Sequence, residues 1–126
     1  MKKIISTSQA PSAVGAYNQA ILAGNTLFVS GQIAINPETG ELITDNIENE
    51  TIQVMKNLGA VLNEADMDYS DIVKCSVFVS DMENYQKINS VYADYFDEET
   101  APARELVEVA NLPKYVNVEI SCIAVK

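Results

Sequence analysis

Residues 47–79 read IENETIQVMKNLGAVLNEADMDYSDIVKCSVFV, and this stretch decides the fold because the spacing of its apolar residues changes partway along. Apolar residues first recur every three or four positions, which predicts an amphipathic helix over residues 47–65. Asp45 precedes that helix with Glu48 three residues later, a pattern typical of a capping box. Residues 72–79 then alternate, which predicts a strand. The residues expected on one face of that strand are Val73, Cys75, Val77 and Val79.

The flanking segments complete a mixed pattern of helices and strands. Further strands are predicted over residues 2–6, 16–22, 25–30, 104–110 and 115–125, with a second helix over 83–96. The order β-β-β-α-β-α-β-β indicates an α+β fold with two helices covering one face of a sheet. Residues 2–6 would form an edge strand. Because the other face would be left uncovered, we expect it to be buried against further copies of the chain in a homo-oligomer.

Length and composition indicate the class of protein and exclude several kinds of function. The chain has 126 residues, of which 48% are hydrophobic, as expected for a single domain over 1–126 with a sizeable core. The net charge of −10 argues against a broad nucleic-acid surface. No apolar run is long enough for a membrane span and no signal peptide is recognisable, which predicts a cytoplasmic location.

The residues that usually bind metals are scarce. The chain has no histidine and only two cysteines, Cys75 and Cys122, both in apolar alternating segments. A single disulfide between them is possible in principle, but buried free thiols fit a reducing compartment better. We therefore expect no structural zinc site.

Two charged residues in the C-terminal part suggest chemistry on a small organic acid. Arg104 stands just before the alternating run Val107-Glu108-Val109, and Glu119 lies among β-branched residues about fifteen positions further on. An arginine can hold a carboxylate through two parallel hydrogen bonds. A glutamate on a neighbouring strand could orient or activate a water molecule. Alternatively, Glu119 could pair with a lysine, Lys114 or Lys126, at a sheet edge.

Five stretches together resemble the Rid (YjgF) family of reactive-intermediate deaminases, whose members have also been labelled translation initiation inhibitors or endoribonucleases. They are residues 10–20 (APSAVGAYNQA), 30–33 (SGQI), 36–41 (NPETGE), 102–104 (PAR) and 112–114 (LPK). The resemblance runs over essentially the whole chain. It implies a chorismate-mutase-like fold and a homotrimer with a barrel-like core and ligand clefts between subunits. It also implies a 2-iminobutanoate/2-iminopropanoate deaminase-type hydrolase, which converts 2-imino and enamine acids such as 2-aminoacrylate to 2-keto acids and ammonia. Because imines hydrolyse in water unaided, we expect this reaction to need no metal and no organic cofactor.

The resemblance also implies roles for individual residues. Arg104 would bind the substrate carboxylate, Glu119 would position the attacking water, and Tyr17 would line the cleft from the adjacent subunit. Three further residues match positions near the ligand: Ser30, Gly31 and Asn89. Each has an ordinary structural alternative. Tyr17 could be a core aromatic residue, Gly31 could serve a tight turn, and Asn89 could be a helix-surface residue.

Two positions depart from the family pattern, and two other functions stay open. Leu106 replaces the usual cysteine two residues after the arginine, which adds an apolar wall to the substrate site. Ala16 replaces the proline that usually precedes the tyrosine, which frees one backbone dihedral near Tyr17. The alternatives are a metabolite-binding regulatory trimer without turnover and an RNA-directed activity. The acidic charge and the lack of histidine argue against the second.

Overall fold

The computed structural model describes residues 1–126 and confirms the predicted order of helices and strands. The elements are β1 (Lys2–Ile5), β2 (Ala20–Ala23), β3 (Thr26–Gln32), α1 (Ile47–Glu64), β4 (Ile72–Val79), α2 (Tyr85–Ala93), β5 (Ala103–Glu108) and β6 (Val118–Val125). Single turns of 3-10 helix lie at Tyr69–Asp71, Met82–Asn84 and Pro113–Tyr115. Neither α-helix has the length and apolar character needed to cross a membrane.

All six strands form one mixed sheet in the order β1-β2-β3-β6-β4-β5. Only β4 and β5 pair in parallel, and every other neighbouring pair is antiparallel. β1 lies at one edge, as predicted, and β5 at the other. The last strand of the chain, β6, lies between β3 and β4 and thereby joins the N-terminal hairpins to the C-terminal half.

The first helix begins at Ile47, as predicted, but its capping residue differs from the predicted one. Asn46 is the N-cap, and its side-chain oxygen accepts a hydrogen bond from the Asn49 backbone N–H at 2.8 Å. The predicted capping box of Asp45 and Glu48 is therefore wrong. Asp45 instead accepts a hydrogen bond from the Asn49 side chain at 2.9 Å. Both Asp and Asn are good N-cap residues, so local sequence alone could not choose between these neighbours.

One face of the sheet packs against α1 and α2, and we call it the covered face. Its strand residues alternate with outward-pointing ones, as along β6, where Val118, Ile120 and Ala124 are fully buried. The prediction for Val73 is wrong, since Val73 is 48% exposed and Ile72 is buried instead. A β-bulge between Ile72 and Lys74 shifts the register there and reverses the face of Val73.

The remaining differences are boundaries. α2 is shorter than the predicted 83–96 because a 3-10 turn replaces its first residues and the chain turns after Ala93. β2 begins at Ala20 rather than 16, and β6 begins at Val118 rather than 115. Each missing stretch is a loop held by side-chain hydrogen bonds or by a 3-10 turn, features that apolar periodicity does not report.

The opposite face of the sheet carries no helix, and we call it the open face. It includes apolar side chains such as Phe28, 47% exposed, and Val107, 43% exposed. It also carries Ser76, which donates a hydrogen bond to Glu105, and Lys74, whose ammonium lies 2.9 Å from the Glu105 carboxylate. Two helices on one face of a mixed sheet are as predicted.

Candidate active site

Arg104 is the only arginine of the chain, and α2 holds its guanidinium group against the covered face. It is the second residue of β5, paired in register with Cys75 of β4, whose side chain is fully buried beneath the helices. Nη1 of Arg104 donates to the Asn89 side-chain oxygen at 2.7 Å, and Nη2 donates to the Tyr85 hydroxyl at 3.2 Å. The guanidinium carbon lies 5.0 Å from the centre of the Tyr92 ring.

No carboxylate neutralises this arginine. Both of its hydrogen-bond acceptors are uncharged, and the one ion pair in the structure joins Lys74 to Glu105. A guanidinium has five N–H donors, of which two are used here, so three remain for a ligand. In a protein of net charge −10, a half-buried cation without an acidic partner is a local site for an anion.

The arginine opens into a cleft at the edge of the sheet. Its lining includes Asn89, Tyr92, Phe96 and Pro102 together with Arg104. Glu98 also lines the cleft but does not approach Arg104 within ion-pair distance. The cleft therefore combines an apolar wall with one positive charge, which suits a small carboxylic acid.

Glu119 belongs to a second cleft, on the open face. This cleft has a volume of about 250 Å³, and Tyr17, Gly31, Lys114 and Ile33 line it together with Glu119. Glu119 is half-buried and has no hydrogen-bond partner, and burial raises the pKa of its carboxyl group above the ordinary value. A carboxyl group held in this way can exchange a proton closer to neutrality than a solvated glutamate.

The absence of a side chain at Gly31 leaves space for the Glu119 carboxylate. A Cβ atom on Gly31 would lie 2.5 Å from Oε2 of Glu119 and 2.8 Å from its Cδ. Gly31 lies within β3, at the irregularity between Val29 and Gln32, and its backbone is not left-handed. The alternative role of Gly31 in a tight turn is therefore wrong, since Gly31 lies within β3 and any side chain there would displace the Glu119 carboxylate.

The loop before β2 brings Tyr17 beside Glu119. Tyr17 is 53% exposed, so its alternative as a core aromatic residue is wrong. Ser30 ties this loop to β3, because its backbone N–H donates to the Gln19 carbonyl at 2.9 Å and its hydroxyl to the Asn18 carbonyl at 2.7 Å. Ser30 therefore acts here as an anchor for the Tyr17 loop.

The two charged residues of the predicted site lie in different clefts. Arg104 is paired with Cys75 and points to the covered face, whereas Glu119 is paired with Phe78 and points to the open face. The strand β4 separates them, so the expectation that they occupy neighbouring strands is wrong. A single chain therefore does not bring both side chains to one cleft.

The structure also tests the expectations for Asn89, for Leu106 and for an ion pair of Glu119 with a lysine. Asn89 contacts Arg104 directly and is therefore more than an ordinary helix-surface residue. Leu106 faces the same side as Arg104 but packs against the core and lies outside both clefts of the single chain. Glu119 forms no ion pair with Lys114 or Lys126, and β6 is not a sheet edge, so the sheet-edge alternative is wrong.

Three supporting residues were not identified from the sequence. The buried Glu50 carboxylate of α1 accepts hydrogen bonds from the backbone N–H groups of Asn117 and Val118, directly before Glu119. Gln19, also buried, bonds to the backbone of Thr7 and of the following loop. Tyr85 holds Arg104. Helical spacing places Glu50 and Tyr85 on the faces that carry the apolar residues, but it does not show which groups they contact.

The cysteines lie in the core beside the arginine. Cys75 and Cys122 are cross-strand neighbours, and both are buried as free thiols. Burial raises the pKa of both thiols, so they are protonated near neutral pH. The structure contains no cluster of three or more His, Cys, Asp or Glu side chains that could hold a metal ion.

Comparison with known proteins gives one consistent relationship. Residues 7–126 match the family model described as endoribonuclease L-PSP. The chain is 53% identical over 98% of its length to a RutC family protein of Synechocystis, covering 95% of that protein. It is 42% identical to the 2-iminobutanoate/2-iminopropanoate deaminase of Rattus norvegicus, over all of this chain and 91% of the relative. The crystal structure of Escherichia coli TdcF with bound serine aligns with a TM-score of 0.92 at 40% identity, over 98% of both chains.

Proposed function

Because this chain belongs to the endoribonuclease L-PSP family, which is the Rid family that its motifs resemble, we propose that it hydrolyses 2-imino and enamine acids to 2-keto acids and ammonia. One observation carries the proposal. The only arginine of the chain is half-buried, is held by two uncharged acceptors and faces a cleft with three N–H donors free. A small carboxylate is the ligand that this arrangement fits.

The reaction requires orientation and proton transfer rather than strong activation. An enamine such as 2-aminoacrylate takes up a proton at its terminal carbon and becomes the iminium form of the 2-imino acid. Water then attacks C2 and gives up a proton, and a neutral carbinolamine forms. A proton reaches the nitrogen, the C–N bond breaks and ammonia leaves, while the hydroxyl group loses its proton as the C2 carbonyl forms. Imines hydrolyse in water unaided, so the protein need only hold the substrate and deliver the water.

Arg104 and Glu119 would divide this work. Arg104 binds the carboxylate, and each hydrogen bond to a charged group is worth about 1.5–3 kcal/mol. Glu119 takes the proton from the attacking water and returns it to the nitrogen, a role suited to a carboxyl group whose pKa is raised by burial. Once ammonia has departed, C2 carries a neutral carbonyl group. The carboxylate of the product stays bound to Arg104 until release.

Since the two residues lie on opposite faces of one sheet, the proposed site forms between two copies of the chain. One copy supplies Arg104 and Asn89, and the next supplies Glu119, Gly31, Tyr17 and Ser30. The exposed apolar groups of the open face support such an assembly, since Phe28 and Val107 would be buried by it. We propose the homotrimer that the resemblance implies.

A second function has one specific observation in its favour. The structural neighbour TdcF was crystallised with bound serine, an amino acid with the same carboxylate group as an imino acid. A trimer that binds such metabolites without turnover would use the same Arg104 cleft. The RNA-directed alternative has only the family description in its support, because neither cleft gathers several basic residues.

The deciding experiment measures turnover of a freshly generated imine. A serine dehydratase produces 2-aminoacrylate in the reaction mixture, and the release of ammonia and pyruvate is followed with and without this protein. The expected result is release faster than the spontaneous rate, in proportion to protein concentration. Release at the spontaneous rate, together with measurable binding of pyruvate, would overturn the deaminase and favour the binding protein.

A further inference from the structure

We propose that Tyr85 is a positioning residue that, together with Asn89, holds the guanidinium of Arg104 in one orientation before any ligand arrives. The inference rests on the proposed function only in naming the ligand as a carboxylate. The orientation itself is a property of the free protein. Tyr85 is the first residue of α2, and the family motifs do not include it.

Each terminal nitrogen of the guanidinium has its own acceptor. Nη1 donates to Asn89 at 2.7 Å, and Nη2 donates to Tyr85 at 3.2 Å. Tyr85 and Asn89 are four residues apart on α2 and therefore lie on the same face of the helix. A single acceptor would leave the planar group free to turn about its long axis, whereas two acceptors on separate nitrogens hold the plane.

The aromatic rings restrict the group further. The Tyr92 ring centre lies 5.0 Å from the guanidinium carbon, and the Tyr85 ring centre lies 5.8 Å away. The N–H groups that remain free are one on each Nη and the one on Nε, which suffice for two parallel bonds to a carboxylate. Because the group is already ordered, ligand binding loses less side-chain entropy.

The acceptors are also chemically matched to this task. A carboxylate in place of Tyr85 or Asn89 would hold the guanidinium as firmly but would neutralise its charge and compete with the ligand. A phenol and an amide fix the orientation and leave the positive charge intact. The hydroxyl is the part of Tyr85 that does this, because a phenylalanine would keep the ring and lose the acceptor.

The test uses the fact that the chain has a single arginine. Protein labelled with ¹⁵N-arginine contains one guanidinium, so its Nη signals belong to Arg104 alone. In the free wild-type protein we expect slow Nη rotation and resolved Nη signals. In Tyr85→Phe the rotation of Nη2 should become faster and its signals should merge. The matched control is Tyr95→Phe, which removes a hydroxyl just beyond α2 from a ring that packs on Tyr69.

Ligand measurements complete the test. In Tyr85→Phe the Kd for pyruvate and the KM for the imino acid should rise about tenfold, the weight of one hydrogen bond to a charged group. The kcat should stay within about twofold, and the melting temperature should stay near that of Tyr95→Phe. Unchanged Nη signals in Tyr85→Phe would overturn the inference. Altered signals in a protein without imine turnover would uphold it while the proposed deaminase function fails.

Discussion

At the scale of single residues, Arg104 provides the strongest indication of function. No carboxylate offsets the positive charge of Arg104, because its hydrogen-bond partners, Asn89 and Tyr85, are uncharged. In Arg104→Lys the ammonium cannot form two parallel bonds to a carboxylate, so kcat/KM for the imino acid should fall at least about tenfold. The chain should still fold, as judged by circular dichroism. A lysine variant with wild-type kcat/KM would exclude carboxylate recognition by Arg104.

Substitution of Glu119 distinguishes the proposed enzyme from a protein that only binds metabolites. Glu119→Gln is nearly isosteric but cannot exchange a proton, so kcat should fall by a factor on the order of 10²–10⁴. Calorimetry should show little change in pyruvate affinity. Equal losses in kcat and affinity would make Glu119 a binding residue, and no loss in either would leave water attack to other groups.

The pH dependence of the same residue has a defined sign. Burial raises the Glu119 pKa, so the ionised, proton-accepting form is lost at a higher pH than for a free glutamate. The kcat/KM of the wild type should therefore decline on the acid side at a pH above the ordinary value of about 4.3. The Gln variant should lack that decline. Protonated Glu119 favours the folded state below about pH 4.3, and this stabilisation is lost as pH rises through the folded pKa.

At the scale of elements, the contact of β3 with β6 sets the position of the carboxylate. In Gly31→Ala the new Cβ would lie 2.5 Å from Oε2 of Glu119, and the end of that flexible side chain would move aside. We expect kcat to fall on the order of tenfold while the free energy of unfolding in urea changes by less than about 1 kcal/mol.

A double variant shows whether Gly31 acts through Glu119. Gly31→Ala combined with Glu119→Gln should be no slower than Glu119→Gln alone, because both changes remove the same function. Additive losses in kcat would mean that Gly31 contributes by another route, such as contact of its backbone with the substrate.

At the scale of the whole molecule, Arg104 and Glu119 lie on opposite faces of one sheet, and the proposed site therefore combines two copies of the chain. Arg104→Lys and Glu119→Gln chains should each be nearly inactive as pure assemblies. When the two are refolded together in equal amounts, about a quarter of the sites should combine an intact arginine with an intact glutamate, since each is present with a chance of one half. Activity should return in that proportion.

The assembly itself provides the control. Sedimentation equilibrium should give a homotrimer for the wild type and for both variants. A monomer at micromolar concentration, or mixed chains as inactive as the pure variants, would contradict a site shared between subunits. In the second case the two clefts would have to act separately, with Arg104 binding a ligand that Glu119 never reaches.

The order of helices and strands could be predicted because it depends on short-range patterns. The helical spacing of apolar residues predicted α1, and their alternation predicted β4. The motifs around Tyr17, Gly31 and Arg104 identified the family. These patterns extend over a few residues, so the local sequence determines them.

Only the tertiary structure decided which of these residues meet. β6 inserts between β3 and β4, and that long-range pairing puts Glu119 on the open face and Arg104 on the covered one. The bulge that exposes Val73 and the α2 contact of Tyr85 with Arg104 likewise depend on neighbours distant in sequence. Strand alternation shows which residues of one strand share a face, but the relation between strands follows from pairing and packing. The sequence by itself therefore determined the elements and the chemical groups, and the tertiary structure decided that Arg104 and Glu119 lie in separate clefts on opposite faces of the sheet.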